Sequence, residues 1–244
     1  MIGVTAVVTG GGGTIGRVAV KVLLDLGAGP VFVCGRGADA LAETAAVDPD
    51  RVRPTVMDVG DEKSWIRFGR ERDAQGQTVG ALVTAAGINR RGPFDGGSVE
   101  DWEALWRTNV LGTLLPVRQF LPGMVRARFG RVVLVSSIGG HRALPDRAVY
   151  SATKGAVEAF GRSVAAEVGG SGVTVNTLAP GVFPTQLTKA WLAGSPDRRQ
   201  EMLTRILEGR FGEASELEQA FRFLFASTYT QGSVVDVDGG WSAG

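Results

Sequence analysis

The chain holds one cysteine and one histidine in 244 residues. Cys34 alone cannot build an intramolecular disulfide framework and suits a reducing compartment, so a cytoplasmic location is expected. His141 alone excludes metal centres built on several His or Cys ligands; only a carboxylate site is left open, and no metal is expected. A Ser-His-Asp hydrolase is disfavoured as well. Ser136 and Ser137 lie in V-S-S-I-G, which lacks the Gly-x-Ser-x-Gly elbow that exposes a nucleophile between strand and helix. Lys and Arg total 26 against 25 Asp and Glu, with no long basic run, so neither nucleic acid nor an acidic membrane surface is suggested. A small-molecule partner is expected instead. No apolar stretch approaches membrane-spanning length, and the opening M-I-G-V-T-A-V-V-T-G lacks a basic region. Neither a signal peptide nor a membrane span is expected, and the protein should be soluble.

What the chain does contain is alternation. Short β-branched runs at 4–9, 31–34, 52–57, 79–84, 131–136, 173–178 and 233–237 read as strands buried on both faces. Helical patterning at 16–26, 39–47, 61–73, 99–128, 149–168 and 213–226 separates them. The order predicts an α/β fold, a doubly wound seven-stranded parallel sheet in a single domain spanning 1–244. Pro116 and Pro122 are expected to kink or end the long central helix. The stretch 183–212, punctuated by Pro184, Gly194 and Pro196, is the least regular and reads as a lid over a site.

Directly after the first strand comes T-G-G-G-G-T-I-G at 9–16. Glycines between strand and helix let backbone amides approach a pyrophosphate at the positive helix end. Gly10, Gly12, Gly13, Thr14, Ile15 and Gly16 are therefore candidate cofactor contacts. Some twenty residues on, an NAD site usually presents an acidic side chain to the adenosine ribose. This chain has Gly35-Arg36 there. A guanidinium fork suits a 2′-phosphate, and Gly35 removes the repelling carboxylate, so NADP(H) is expected over NAD(H). The competing reading of Arg36 is a solvated loop residue, or one stacked on adenine.

Tyr150 and Lys154 lie four apart in Y-S-A-T-K, with Ser137 thirteen positions upstream. On a helix that spacing stacks phenol and ammonium on one face, and a nearby cation lowers a phenolic pKa from about 10, making the pair an acid and base near neutrality. Alone, such a pair could merely decorate a solvated face.

In register, these blocks resemble the classical short-chain dehydrogenase/reductases, including gluconate and deoxygluconate dehydrogenases and 3-oxoacyl reductases. The resemblance implies a Rossmann fold and adds further segments. Asp58-Val59 looks like the adenine contact; T-A-A-G at 84–87 matches N-N-A-G, with Ala86 and Gly87 at the cofactor. N-T-L-A-P-G-V-F-P-T at 176–185 looks like the segment holding the nicotinamide carboxamide, through Pro180, Gly181, Val182, Phe183 and Thr185. V-D-G-G-W at 237–241 looks like the C-terminal signature. By the same resemblance Tyr150 exchanges a proton with the substrate, Lys154 also bonds the nicotinamide ribose, Ser137 binds the substrate oxygen and Asn109 holds a water linking Lys154 to solvent. Thr14 and Ala85 depart from the family's usual glycine and asparagine, and the missing asparagine bears on the rigidity of its loop.

The implied activity is interconversion of a ketone and a secondary alcohol with NADP(H), by a homotetramer or homodimer. Asn89, Arg90 and Arg91, at the C-terminal edge of the fourth strand, could grip an anionic substrate such as a sugar acid. A solvated or subunit-interface loop is the competing reading. His141 could line the same cleft or a surface loop. A catalytically silent NADP(H)-binding sensor, a dehydratase and an epimerase are the rival functions.

Overall fold

The computed structural model describes residues 1–186, 188, 194 and 196–243. Seven strands form one parallel sheet in the order β3-β2-β1-β4-β5-β6-β7: β1 Thr5–Thr9, β2 Val31–Gly35, β3 Val52–Val56, β4 Val79–Thr84, β5 Gly130–Val135, β6 Val173–Pro180 and β7 Val234–Val237. Alternation across the pleat explains why the inner strands β1, β2, β4 and β5 are mostly apolar; the expected burial on both faces fails at the edge strand β3, where Arg53, Pro54 and Val56 are exposed. On β1, Ala6 and Val8 enter one core cluster and Val7 the other; on β2, Val31 and Val33 part from Phe32 and Cys34 in the same way. Burial on both faces removes any polar side. It also pushes the Cys34 thiol up to about 12.

Helices cover both faces. α1 Thr14–Asp25 and α8 Ala214–Ala226 pack on one side, where Val22, Leu23, Leu217 and Phe221 are fully buried. α3 Glu62–Ala74, α5 Gly112–Ala127 and α6 Ala148–Glu167 cover the other. There Trp65 meets Phe68 and Phe120 edge to face, while its indole N–H donates to the Val59 carbonyl at 2.8 Å. A buried Trp needs such a partner. Among the described residues, no helix is long and apolar enough to cross a membrane.

Two expectations about the helices need correction. The single helix over 99–128 is three pieces: α4 Val99–Leu105, a π-helical turn Trp106–Leu111, and α5. Pro116 and Pro122 do not end α5, which runs through both to Ala127. The break comes earlier, in the π-turn that carries Asn109, and such turns collect at functional sites. Within 183–212, residues 196–204 form a helix, α7 Pro196–Thr204. Val182, Ile206 and Phe211 are buried with Ile138 and Trp241, so both ends of the expected lid are anchored. Its middle, 187, 189–193 and 195, lies outside the described residues.

Between β1 and β4 the winding direction reverses. Open parallel sheets bind ligands at that switch point, beyond the carboxyl ends of the strands.

Candidate active site

At the switch point the chain turns from β1 into α1 through the glycine tract. Gly10 has φ +64°, and a Cβ there would stand 2.7 Å from the Ala85 carbonyl carbon. Only glycine fits both demands. A Cβ on Gly16 would run into the Gly10 carbonyl oxygen. The loop is braced from outside, where Arg17 Nε donates to the Gly12 carbonyl at 3.1 Å and Thr44 Oγ1 to the Gly11 carbonyl at 3.0 Å. Gly13, the N-cap of α1, offers no capping side chain, and no acidic residue enters the first turn. The positive helix end therefore faces the cleft without a built-in anion.

That cleft encloses about 350 Å³, a volume within the range of small-molecule sites. Its walls gather Gly10, Gly12, Gly13, Thr14, Ile15 and Gly16 from the loop, Arg36 after β2, Asp58 and Val59 after β3, Ala86 and Gly87 after β4, and Thr185. Residues far apart in sequence thus converge as expected. Pro180, Gly181, Val182 and Phe183 do not line it. Pro180 ends β6, the Gly181 amide donates to the Val237 carbonyl at 2.9 Å, and the Val182 and Phe183 side chains are buried in the core.

Arg36 is exposed on the rim. Asp58, the one acidic residue of the wall, accepts from Arg107 Nε and Nη2 at 3.1 Å and from the Gly60 amide at 2.9 Å. It is paired and caps its own turn.

The loop after β4 is held without the family's second asparagine. Thr9 does that work: its carbonyl accepts from the Ala85 amide at 3.2 Å, and its Oγ1 from the Ala86 amide at 3.2 Å. Asn109, fully buried, fastens the next residue. Its Oδ1 accepts from the Ile88 amide at 2.9 Å, while Nδ2 donates to the Ile88 carbonyl and to Thr153 Oγ1, both at 3.0 Å. The side chain is a complete clasp between this loop and α6.

Ser137, Tyr150 and Lys154 converge beside that clasp. Ser137 follows β5, and its Oγ accepts from the Gly139 amide at 3.2 Å. Tyr150, half-buried at the start of α6, turns its phenol toward Ser137. Burial pushes its phenol above the ordinary value; Ser137, Arg147 and Arg91 pull the other way. The expectation that Lys154 lowers this phenol is therefore corrected. The Lys154 ammonium donates to the Val135 carbonyl at 2.9 Å and lies 5.9 Å from the Tyr150 ring centre. Burial brings Lys154 down to about 8, and Glu158 opposes that fall.

The proposed substrate residues separate. Arg90 forms an exposed ion pair with Asp101 at 2.8 Å. Asn89 carries a buried Oδ1 without a partner. Arg91 lines two small cavities, one shared with Tyr150 and Trp102, the other with Met202, Arg205 and Trp241. His141 lines none of the cavities described here; it is exposed, and its ring lies 3.0 Å from Glu158 and 3.2 Å from Asp236. Sequence reading missed Arg147, which lines both small cavities and whose charge burial disfavours. Its place three residues before Tyr150, one helical turn away, was the available signal. Arg205 gave none, because only folding brings the turn after α7 there.

Comparison with known proteins agrees with this geometry. The short chain dehydrogenase family profile matches residues 4–195. The chain is 36% identical over 237 residues to carbonyl reductase family member 4 of Danio rerio, covering 96% of each. It is 33% identical over 234 residues to a 3-oxoacyl-[acyl-carrier-protein] reductase of Bos taurus, covering 96% of this chain and 95% of that one. A crystal structure of a gluconate 5-dehydrogenase from Burkholderia cenocepacia, in complex with NADP and tartrate, superposes with TM-score 0.93 at 30% identity, covering 100% of this chain and 97% of that one. The chain belongs to the short-chain dehydrogenase/reductase family of oxidoreductases.

Proposed function

We propose that this protein interconverts a ketone and a secondary alcohol with NADP(H), using Tyr150 as acid and base. The carrying observation is at Gly87. This residue lines the cofactor cleft, and a Cβ on it would stand 3.6 Å from Lys154 Nζ and 3.5 Å from Asn109 Oδ1. Cleft and catalytic cluster thus meet across one bare backbone.

The residues present fit the cofactor. The open N-terminus of α1 suits the pyrophosphate, Arg36 the 2′-phosphate, Asp58-Val59 the adenine, Lys154 the nicotinamide ribose, and Thr185 the carboxamide. When bound, the cofactor supplies or accepts the hydride. Tyr150, with its raised pKa, stays protonated through neutrality and gives its proton to the carbonyl oxygen in reduction. In oxidation the phenol first gives its proton to solvent, and the phenolate then takes the proton of the alcohol. Ser137 donates to the same oxygen, and Asn109 holds the loop and α6 in register.

Arg36→Ala tests cofactor choice. A charge-assisted contact is worth about 1.5–3 kcal/mol, so NADPH affinity should fall roughly 10- to 150-fold while NADH binding is unchanged. Wild type binding NADH more tightly than NADPH would contradict the assignment.

For the substrate we propose an oxo compound bearing a carboxylate, such as a sugar acid. Arg91 and Arg147 line one cavity of about 350 Å³ beside Tyr150's helix, together with Asp146 and the paired Arg205 and Glu201, and the similar gluconate 5-dehydrogenase was solved with a dicarboxylate, tartrate. Arg91→Ala or Arg147→Ala should raise KM for an oxo acid about 10- to 150-fold and spare neutral ketones. Arg90→Ala should change little, since its partner is Asp101. Equal losses on both substrate types would sink the anion reading.

We also assign the whole chain to one cofactor-binding domain, since all seven strands share one sheet. A homotetramer or homodimer is proposed from the exposed Val99, Trp106 and Leu111 around α4. A native mass equal to one chain would refute it.

A further inference from the structure

One turn beyond Lys154, α6 buries a second ionisable side chain. Glu158 is 3% exposed, and its spacing of four places it on the Lys154 face. Its Oε1 accepts from Ser136 Oγ at 2.9 Å and lies 3.0 Å from His141 Nδ1. A Cβ on Gly140 would strike this carboxylate, so the V-S-S-I-G-G turn is shaped to admit it. Ser136 Oγ also reaches the Lys154 carbonyl at 3.1 Å, and the neighbouring Val135 carbonyl receives the Lys154 ammonium. The carboxylate and the ammonium are thus fastened to consecutive residues of the same strand end.

Other charged and titratable groups around the pair come from three elements. Tyr150 is on α6, His141 follows β5, and Asp236 on β7 lies 3.2 Å from His141 Nε2. His141 thus stands between two carboxylates, one at each ring nitrogen. A carboxylate this buried is tolerated only when hydrogen-bonded and paired. Ser136, His141 and the field of Lys154 meet that requirement together.

We infer that Glu158, held in place by Ser136 and His141, is the positioning residue that keeps Lys154 cationic at the active site. This rests on the cofactor-binding role proposed for Lys154. Glu158 touches neither cleft nor substrate cavity and acts through the ammonium alone. It is the group that opposes the fall of Lys154 to about 8.

Lysine NMR reads this without turnover. The chain has four lysines, and Lys154→Met identifies the resonance. Glu158→Gln keeps an acceptor for Ser136 and His141 but removes the charge, and should move the Lys154 midpoint down by about half a pH unit or more. Loss of structure would relax Lys154 upward, toward its ordinary value, so the direction separates the two causes. His141→Ala keeps the Glu158 charge, and the midpoint should not fall. A Glu158→Gln midpoint that is unchanged or higher overturns the inference, as does an equal fall in His141→Ala. A second readout uses the unaltered protein: the ring signal of its single histidine should show an inflection at the Lys154 midpoint that vanishes in Lys154→Met. No such inflection also overturns it. Near-normal turnover of Lys154→Met would instead refute the role of Lys154, and leave these titrations standing.

Discussion

Tyr150→Phe should fold, bind NADPH as the native chain does, and lose turnover by about 10²-fold or more, the range for removing a general acid. The ring keeps its packing at the start of α6; only the hydroxyl, which faces Ser137, goes, a change of about 1 kcal/mol in stability. The pH profile of the native enzyme should carry its own signature. Tyr150 is pushed up, so the acid form persists through neutrality, while Lys154 sits at about 8. As pH rises through that value the ammonium is lost, and reduction should decline on the alkaline side with Lys154 rather than with the phenol. Steady-state kinetics in both directions, with NADPH titrated by fluorescence, check this. Near-normal turnover in the Phe variant would remove Tyr150 from the chemistry.

Lys154→Met should lower activity strongly yet stabilise the fold. The side chain is 5% exposed, and burial holds it at about 8 against an ordinary 10.5. A lysine with a depressed folded pKa binds fewer protons folded than unfolded between those two values, so native stability should rise as pH goes from about 8 to 10.5. Below about 8 the penalty of the buried charge is present in full, with a ceiling of about 3 kcal/mol. Methionine fills similar space without charge. Denaturant melts across this pH range should show the native slope, and its loss in Lys154→Met with a higher midpoint at pH 7. Turnover should fall by about 10²-fold or more through loss of the ribose contact and the local cation. A destabilised Met variant would mean that Glu158, left beside a neutral neighbour, outweighs the relief.

The sheet was legible because burial on both faces leaves continuous apolar runs, and β1, β2 and β4 needed no long-range information. The cofactor cleft was legible for the same reason: Gly10, Arg36 and Asp58 each follow a strand, and parallel strands bring their ends to one edge. Charge relations across α6 were not. Spacing puts Lys154 on the face of Tyr150, but the strand end decides where the ammonium points, and the Val135 carbonyl takes it. His141 read as a cleft or surface-loop residue because it follows Ser137 closely; only the fold brings Glu158 and Asp236 to its two nitrogens. The π-turn at Trp106–Leu111 leaves no mark in a helical periodicity, and Arg205 reaches its cavity from the turn that follows α7, in a stretch that reads as irregular sequence.

The central claim is hydride exchange between NADP(H) and a carbonyl under the control of Tyr150. The most direct measurement is NADPH oxidation by the purified protein against a panel of neutral ketones, sugar-derived oxo acids and acyl thioesters, run in parallel with Tyr150→Phe. Turnover with at least one carbonyl, strongest among the oxo acids and lost in the Phe variant, is the predicted result. Tight NADPH binding with no oxidation by any carbonyl would contradict the account and leave a cofactor-binding sensor in its place.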